Sequence, residues 1–311
     1  MAPSLVDAIT GFDYEPDGSW SFQDYTGDGI PDLIYIKTQN TASGKVEVHV
    51  ATSESNYKTF VLRIATVFPI DPPFSGTWLT GYYTGGPKPD LIYIKTVGTS
   101  ANFVEVYIAN ASSDYQTITL RATTIYPENN SGYGTWTLAD FNGDGLLDLI
   151  YIKSRSTSSG KVAVSVASGA SNFRDIIFNF ATGIPNTYTG LWGITKNPTS
   201  NKLDLIWLNN EFTASGKVEV FVLSGAGDYL RWDRAVPSIF GTNYYNAPTS
   251  SYLIAQYKAG LPFCLVQVNW KDTASKKTEL HVVNMTPFRF GGATKLLPGV
   301  LEGVKESQSD L

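Results

Sequence analysis

The stretch TWTLADFNGDGLLDLIYIKSRSTSSGKVAV, residues 135–164, carries the pattern that decides the fold. Counting from Trp136, an Asp follows 12 residues later and a Lys another 13 residues beyond it. The same spacing recurs without a gap from four other aromatic residues, which are Trp20, Trp78, Trp192 and Tyr252. Only two places differ, because Phe103 replaces the Lys in the second copy and Cys264 replaces the Asp in the fifth. Repeats 56 to 60 residues apart are typical of solenoids and propellers. The repeat is therefore stronger evidence for the fold than any local sequence pattern.

Each repeat contains four short alternating segments separated by polar turns. In the first repeat the expected strands are 19–25, 32–37, 45–52 and 59–68. Four sequential strands joined by short turns form an antiparallel meander, which is the blade of a propeller. We therefore expect an all-β chain, one five-bladed β-propeller domain of four-stranded antiparallel blades. The expected blades are about 19–70, 77–127, 135–186, 191–240 and 251–298.

The last strand of the fifth repeat is ambiguous. Residues 288–298 fit the pattern poorly, whereas residues 10–20 match the lead-in at 182–192, so the chain opens in the last strand of a blade. One possibility is that a strand within 4–12 joins the fifth blade and closes the ring, which removes an exposed sheet edge. The other is that 288–298 fills this place and the N-terminal strand only covers it. The sequence leaves both open.

Composition excludes several classes of partner. The net charge of −5 disfavours nucleic acid and anionic bilayers. The N-terminus has no basic segment followed by an apolar run, and no stretch is apolar enough for a membrane span, so no membrane insertion is expected. We expect a cytoplasmic protein, or one released without a conventional signal peptide. Cys264 is the one cysteine; it cannot form an internal disulfide and is expected to be a small buried filler.

No motif indicates an enzyme. The chain lacks GxSxG, HExxH and Walker sequences. His49 and His281 occupy equivalent positions of different blades, and a catalytic carboxylate pair should be singular, whereas the Asp of the repeat recurs in four copies. We therefore expect a protein without catalytic residues.

Strand alternation separates two faces of each middle hairpin. In the first repeat Ile34, Ile36, Val46, Val48 and Val50 form an apolar layer. The opposite face differs between repeats. Its residues in the first four repeats include Tyr35, Lys37, Glu47, His49, Tyr93, Lys95, Glu105, Tyr107, Tyr151, Lys153, Trp207, Asn209 and Glu219. This variable face fits either packing between blades, with cross-strand Lys–Glu pairs, or an aromatic platform beside hydrogen-bonding groups in a cleft.

Two nine-residue loops carry oxygen side chains at positions 1, 3, 5 and 9, with a backbone carbonyl at position 7. Hard oxygen ligands on a Gly-containing loop suit calcium better than magnesium or zinc. The alternative is that the Asp-Gly turns shape the hairpin without a metal. The expected ligands are Asp24, Thr26, Asp28, Ile30 and Asp32 in the first repeat, and Asp140, Asn142, Asp144, Leu146 and Asp148 in the third. The other three repeats lack this set.

The segments DYTGDGIPDLIYIK and DFNGDGLLDLIYIK resemble FG-GAP or VCBS repeats, such as those of the integrin head and of calcium-containing fungal fruiting-body lectins. The resemblance spans nearly the whole chain as a repeat, with the calcium pattern intact in two copies. It implies two structural calcium ions and sugar sites between neighbouring blades.

From this resemblance we expect a multivalent lectin that binds glycans or glycoproteins without altering them. A sugar would stack on Tyr35, Tyr93, Tyr151 or Trp207, while the neighbouring Lys, Asn and Glu side chains of the variable face read its hydroxyls. The alternatives are a protein-interaction scaffold and, with less support, a propeller glycoside hydrolase. The sugar, the number of working sites and the oligomeric state stay open.

Overall fold

The computed structural model describes residues 4–70, 75–128, 133–187, 189–197, 200–230, 232–242, 249–257 and 263–285. The chain begins in β1 (Ser4–Ile9) and then forms five consecutive groups of strands. Blade 1 contains β2 (Gly18–Gln23), β3 (Asp32–Lys37), β4 (Lys45–Ala51) and β5 (Phe60–Pro69). Blade 2 contains β6 (Gly76–Gly81), β7 (Asp90–Lys95), β8 (Phe103–Ala109) and β9 (Ile118–Pro127). Blade 3 contains β10 (Gly134–Ala139), β11 (Asp148–Lys153), β12 (Lys161–Ala167) and β13 (Ile176–Pro185).

Blade 4 contains β14 (Leu191–Lys196), β15 (Leu203–Asn209), β16 (Lys217–Leu223) and β17 (Trp232–Gly241). Blade 5 contains β18 (Ser250–Ala255), β19 (Cys264–Asn269) and β20 (Glu279–Asn284), with β1 as its fourth strand. All neighbouring strands are antiparallel. The first strands of the five blades contact one another in a closed ring around a central channel of about 700 Å³. The prediction of an all-β, five-bladed propeller with four-stranded antiparallel blades is confirmed.

The N-terminal strand closes the ring. β1 pairs with β20, where Val6 lies opposite Val282 and Ala8 lies opposite Leu280. Backbone bonds between Thr10, Phe12 and Thr278 continue the pairing beyond β1. The first of the two possibilities for the last blade is therefore the one observed. Residues 288–298, the competing candidates, lie outside the described part of the chain.

Both faces of a blade are covered by its neighbours. The predicted apolar layer of blade 1, which includes Ile34 and Val48, is fully buried against Leu91 and Tyr115 of blade 2. The opposite face of blade 1 carries Tyr35, which packs in the same cluster as Phe12 and β19 of blade 5. The variable face is thus an interface between blades, as the packing interpretation expected.

A buried carboxylate joins two loops in each of the first four blades. Asp32, Asp90, Asp148 and Asp204 are all fully buried. One oxygen of each accepts a backbone N–H from the residue 21 positions later, just after the third strand; the donors are Ser53, Ala111, Gly169 and Gly225. The other oxygen accepts from the loop before the second strand. We call this arrangement the aspartate clamp. Burial raises the pKa of Asp148, although backbone N–H groups oppose the shift.

The turn after the third strand completes the clamp. In blade 2 Asp114 and Tyr115 both adopt left-handed backbone conformations, with φ of 51° and 60°. The ring of Tyr115 is fully buried and its hydroxyl donates to the carbonyl of Pro89 at 3.0 Å. Blades 1, 3 and 4 repeat the left-handed pair, and the aromatic residue of each of these turns is buried.

Blade 5 replaces the clamp by Cys264. Its side chain is fully buried, as expected for a small filler, and burial raises the pKa of its thiol to about 11. A thiol offers no acceptor comparable to a carboxylate, so blade 5 lacks the clamp. Blade 5 also differs in that β1 supplies its fourth strand. In the part of the chain that the structure describes, no helix is long and apolar enough to cross a membrane.

Candidate functional site

The variable face presents a pair of aromatic rings in each of the first four blades, stacked in blades 2, 3 and 4 and tilted by 35° in blade 1. The first-strand tryptophan lies against the aromatic residue of the second strand, directly opposite in the sheet. In blade 2 Trp78 and Tyr93 are nearly parallel, 4.1 Å between ring centroids and 8° between planes. Trp136 and Tyr151 in blade 3 are similar, at 4.1 Å and 16°. An aromatic residue of the preceding fourth strand, such as Phe68, then meets the tryptophan edge-on. Whether a cleft stays open depends on what the preceding blade adds.

The cleft at blade 1 is filled. Tyr35 is fully buried beneath Trp20 and Phe12, with ring centroids 4.5 and 6.0 Å away. Glu15, from the segment that leads into blade 1, forms an ion pair of 3.3 Å with Lys37. His49 bonds Glu47 on its own strand at 3.3 Å, and burial lowers the pKa of this imidazole. The expected stacking of a sugar on Tyr35 is therefore corrected, because this ring offers no free face.

The cleft at blade 3 is bridged from the preceding blade. The hydroxyl of Tyr126 bonds the Oγ atom of Ser165 at 3.0 Å, and the Tyr126 ring meets Trp136 edge-on at 5.2 Å. Burial raises the pKa of Tyr126 to about 12. Tyr151 is only 9% exposed, while Lys153 is half-buried beside it. The structure thus places both predicted residues at the interface but leaves little of Tyr151 for a ligand.

At blade 4 both faces of the second-strand ring are occupied. Trp207 lies between Trp192 at 5.7 Å and Phe221 at 4.6 Å, nearly parallel to both. Its indole N–H donates to the carbonyl of Thr189 at 3.2 Å. The remaining predicted residues bond locally, Asn209 to the Thr189 hydroxyl and Glu219 to the Ser215 hydroxyl. Stacking of a sugar on Trp207 would require displacement of one of these rings.

An open cleft of about 250 Å³ lies between blades 1 and 2. Its volume equals that of roughly eight waters in the liquid, which suits one sugar ring. Blade 1 supplies one wall through the end of β5. Blade 2 supplies the other through three predicted residues and three that were not predicted. The lining residues are Val67, Phe68, Pro69, Trp78, Tyr93, Lys95, Tyr107, Ile118 and Arg121.

Aromatic rings and a few polar groups converge in this cleft. Trp78 and Tyr107 are both half-buried, so each keeps some exposed ring surface. The Arg121 guanidinium lies 5.9 Å from the Tyr107 ring centroid, a cation–π distance. Tyr93 is only 4% exposed, because its ring lies against Trp78 and Tyr107, so the expected stacking of a sugar on Tyr93 is corrected as well. Its hydroxyl bonds the Ser75 hydroxyl at 2.7 Å. Such a surface offers apolar walls with a small number of donors and acceptors, which is typical of small-molecule sites.

Charges of both signs surround the cleft. Lys95 lies directly opposite Glu105 on the neighbouring strand, as the cross-strand pairing expected. Glu105 is buried and accepts hydrogen bonds from Tyr107 and from Ser100. The pKa of the half-buried Glu128 is lowered by hydrogen bonds from Thr99 and, to a lesser degree, by Lys95. The groups that line the cleft are nevertheless the cations Lys95 and Arg121.

Six of the nine residues that line this cleft were not predicted from the sequence. Phe68 and Pro69 come from the preceding blade, and Arg121 comes from the fourth strand. Arg121 lies opposite Tyr107 in the sheet, so both point to the same face. Extending the alternation from the middle hairpin to the fourth strand would have identified it. The contribution of β5 carries no local signal, because it depends on how two blades pack.

The two acidic loops have nearly identical geometry. Asp24 accepts the N–H groups of Gly27 and Gly29, and Asp140 accepts those of Gly143 and Gly145. All four glycines have φ between 80° and 86°, a region that favours glycine. Asp28 and Asp144 likewise accept the N–H two residues ahead, those of Ile30 and Leu146.

The position-9 carboxylates Asp32 and Asp148 point into the blade as clamp residues, away from the loop surface. Thr26 donates its hydroxyl to Asp32, and the Asn142 amide donates to Asp144. Among the residues that the structure describes, no three His, Cys, Asp or Glu side chains are grouped as metal ligands. Asp24 Oδ1 already accepts from Gly27 and Asp28, and Asp32 Oδ2 accepts from Tyr25 and twice from Thr26. The oxygens of Asp28 and Asp144 accept one bond each, so these two carboxylates keep lone pairs for a cation. Calcium therefore stays a prediction for these loops.

Comparison with known proteins adds no family. No protein-family model matches the chain, and no curated protein matches it. The resemblance to FG-GAP or VCBS repeats thus rests on the repeated loop motif, and what the structure shows is the five-bladed propeller itself.

Proposed function

We propose that this propeller binds carbohydrate in the cleft between blades 1 and 2, without altering it. The single observation that carries the proposal is the cleft itself, where half-buried aromatic rings and two cations converge in a space that suits one sugar ring. The filled clefts at blades 1, 3 and 4 do not support the several equivalent sites that the repeat suggested. We accordingly assign one site of this kind to blades 1–4.

The proposed mode of binding uses an exposed aromatic surface and charged donors. The apolar C–H face of a sugar ring packs on Tyr107 or on the edge of Trp78. Both aromatic side chains are flat and rigid, and the contact removes apolar surface of the sugar and of the side chain from water. Lys95 and Arg121, which line the cleft, donate hydrogen bonds to ring hydroxyls. Bonds to charged groups are the stronger ones, at about 1.5–3 kcal/mol each.

Replacing Arg121 by glutamine should weaken binding to the preferred glycan about 10-fold or more, because one charged donor is lost. Arg63 occupies the equivalent position of blade 1, opposite His49, where the cleft is filled. Arg63→Gln is therefore a matched control that removes the same charge and should leave the affinity within twofold. The measurement is a glycan array with the wild-type protein, followed by calorimetric titration of both variants with the best binder. If Arg121→Gln and the wild type bind the glycan with equal affinity, the glycan does not bind in this cleft.

Two other activities are outcomes of the same experiments. A scaffold would bind a glycoprotein equally well after enzymatic removal of its glycans, and the array would be blank. A glycoside hydrolase would release nitrophenol from a chromogenic glycoside, whereas we expect no turnover. Agglutination of red cells through this cleft alone is not expected unless the protein associates.

We further propose that the two acidic loops bind calcium that stabilises the fold. A ligand at about 100 times its dissociation constant stabilises a protein by about 2.7 kcal/mol. A chelator should therefore lower the midpoint of thermal unfolding by several degrees, and calcium but not magnesium should restore it.

Variants separate the calcium effect from general charge effects. Asp28→Asn and Asp144→Asn should each remove part of the calcium-dependent shift. Asp175→Asn changes charge equally at an exposed position outside the loops and should keep the full shift. A wild-type unfolding midpoint that is unchanged by chelator and by added calcium would show that the loops only shape the hairpins.

A further inference from the structure

A second cavity, of about 540 Å³, lies beside the hairpin between β19 and β20 in blade 5. Tyr14 and Trp270 form one side, with ring centroids 5.8 Å apart. The hairpin forms the other side through residues 271–273, Lys276 and Lys277. Tyr14 is 52% exposed and Trp270 is half-buried, so both rings keep surface in contact with water. The cavity does not overlap the cleft between blades 1 and 2.

Trp270 departs from the repeat at a position that is otherwise small and polar. The corresponding residues are Thr38, Thr96, Ser154 and Asn210. Three of these hydroxyls donate to a backbone carbonyl in the lead-in to their blade, from 3.1 to 3.3 Å away. In blade 5 this hydrogen bond is replaced by one from the indole N–H of Trp270 to the Ser251 hydroxyl, at 3.3 Å. Packing within the blade does not require the change, since four blades fold without it.

Lys276 departs from the repeat as well. Its φ is +58°, and the equivalent places hold Gly44, Asn102, Gly160 and Gly216, all with φ between 59° and 67°. A left-handed conformation disfavours a residue with a long side chain, so a lysine here works against the stability of the turn. Strain that the fold does not need is found preferentially at functional positions.

The cations of the hairpin are unequally compensated. Lys277 forms an ion pair with Asp13. No ion pair joins Lys271 or Lys276 to any of the described residues. The equivalents of Lys271 are Gln39, Val97, Arg155 and Glu211, so the hairpin of blade 5 alone has a cation at both places. Asp272 is the one carboxylate that lines the cavity.

We propose that this cavity is a second binding site and that it takes an acidic saccharide, one that bears a carboxylate or sulfate group. The pair Tyr14 and Trp270 packs on the apolar face of a sugar ring, and Lys271 and Lys276 bind its anionic group. A neutral sugar would leave both cations unused. The whole chain carries a net charge of −5, so the attraction of Lys271 and Lys276 for an anionic ligand acts only at short range. This attraction falls as the salt concentration rises. The site shares with the proposed function only the chemical class of its ligand.

Variants that restore the repeat test this site without threatening the fold. Lys276→Gly restores the residue of blades 1, 3 and 4, and Trp270→Thr restores that of blades 1 and 2. The probes are a heparin hexasaccharide, sialyllactose and lactose, titrated by calorimetry at two salt concentrations. We expect an acidic probe to bind the wild type and lactose to bind at least 10-fold more weakly here. Trp270→Thr should lower the affinity for the acidic probe at least 10-fold. Lys276→Gly should lower this affinity about fivefold, and its midpoint of thermal unfolding should be the same as that of the wild type or higher.

Controls locate the effect and keep it separate from the cleft. Lys217→Gln removes a cation from the equivalent hairpin of blade 4, and Arg121→Gln alters the cleft; both should bind the acidic probe within twofold of wild type. The proposal is overturned if no acidic probe binds, if Trp270→Thr and Lys276→Gly bind as the wild type does, or if Lys217→Gln loses as much affinity as they do. If Arg121→Gln loses its affinity for the acidic probe, the proposal is also overturned, because the probe would then bind in the cleft between blades 1 and 2. Tighter binding of ATP than of either acidic saccharide through Trp270 would show the ligand class to be wrong.

Discussion

Replacing Asp90 by alanine is expected to lower the free energy of unfolding by about 3–5 kcal/mol, because the buried N–H of Ala111 and the part-buried N–H of Thr84 lose a charged acceptor. Asp90 is fully buried, and its carboxylate accepts from Thr84 at 2.7 Å and from Ala111 at 3.0 Å. The Ala111 N–H cannot reach water once the carboxylate is gone, whereas Thr84 lies at the surface, and the removed side chain leaves a cavity. Blade 2 is the clearest place for the test, since its loop lacks the acidic calcium pattern.

Chemical denaturation and thermal unfolding both measure this effect. The unfolding midpoint should fall on the order of 10 °C. Asp90→Asn keeps the shape and one acceptor oxygen, so its loss should be smaller than that of alanine. Asp175→Asn, at an exposed site, should change stability by less than about 0.5 kcal/mol. If Asp90→Ala unfolds with the wild-type midpoint, the clamp does not hold the two loops together.

Replacing Val6 by aspartate is expected to cost about 3–5 kcal/mol and to open the ring by detaching β1 from β20 within blade 5, because an unpaired carboxylate would be buried. Val6 is 9% exposed and lies opposite Val282, within the cluster that also holds Phe12 and Trp20. Opening at this point exposes the edge of β20, which is a site for association with other chains.

Ile9 provides the matched control on the same strand. It is 51% exposed and lies opposite Glu279, so Ile9→Asp introduces the same charge without burial. We expect the Ile9→Asp midpoint within about 2 °C of wild type and a larger shift for Val6→Asp. Hydrogen exchange should show early loss of protection in β1 and β20 of Val6→Asp only. Equal stability of the two variants would mean that β1 does not close the ring.

The fold was predictable because its information is repeated. Five copies of one spacing set the number of blades, and alternation in segments such as DLIYIK assigned the buried layer without knowledge of any contact. Ring closure was predictable only as one of two possibilities: the match of residues 10–20 to 182–192 placed the start of the chain in the last strand of a blade, but no local pattern reports that β1 pairs with β20 across almost the whole chain. The repeated Asp was expected to be a turn or metal residue, and the structure adds its role as a clamp.

The site was predictable only in part. Tyr93, Lys95 and Tyr107 were assigned to one face by their parity, and the structure brings them into one cleft. Tyr35 belongs to the same face of blade 1 and meets Phe12 much as Tyr93 meets Phe68, but the segment before blade 1 also adds Glu15, which forms an ion pair with Lys37. Equivalent positions of a repeat thus share a direction, while their exposure is decided by the neighbouring blade.

A crystal structure of the protein with its preferred neutral glycan tests the central proposal most directly. The account predicts one sugar ring between the end of β5 and blade 2, packed on Tyr107 or Trp78 and bonded to Arg121 or Lys95. A sugar bound only in the central channel or at blade 5, or an empty cleft at a glycan concentration that saturates binding in solution, would contradict it.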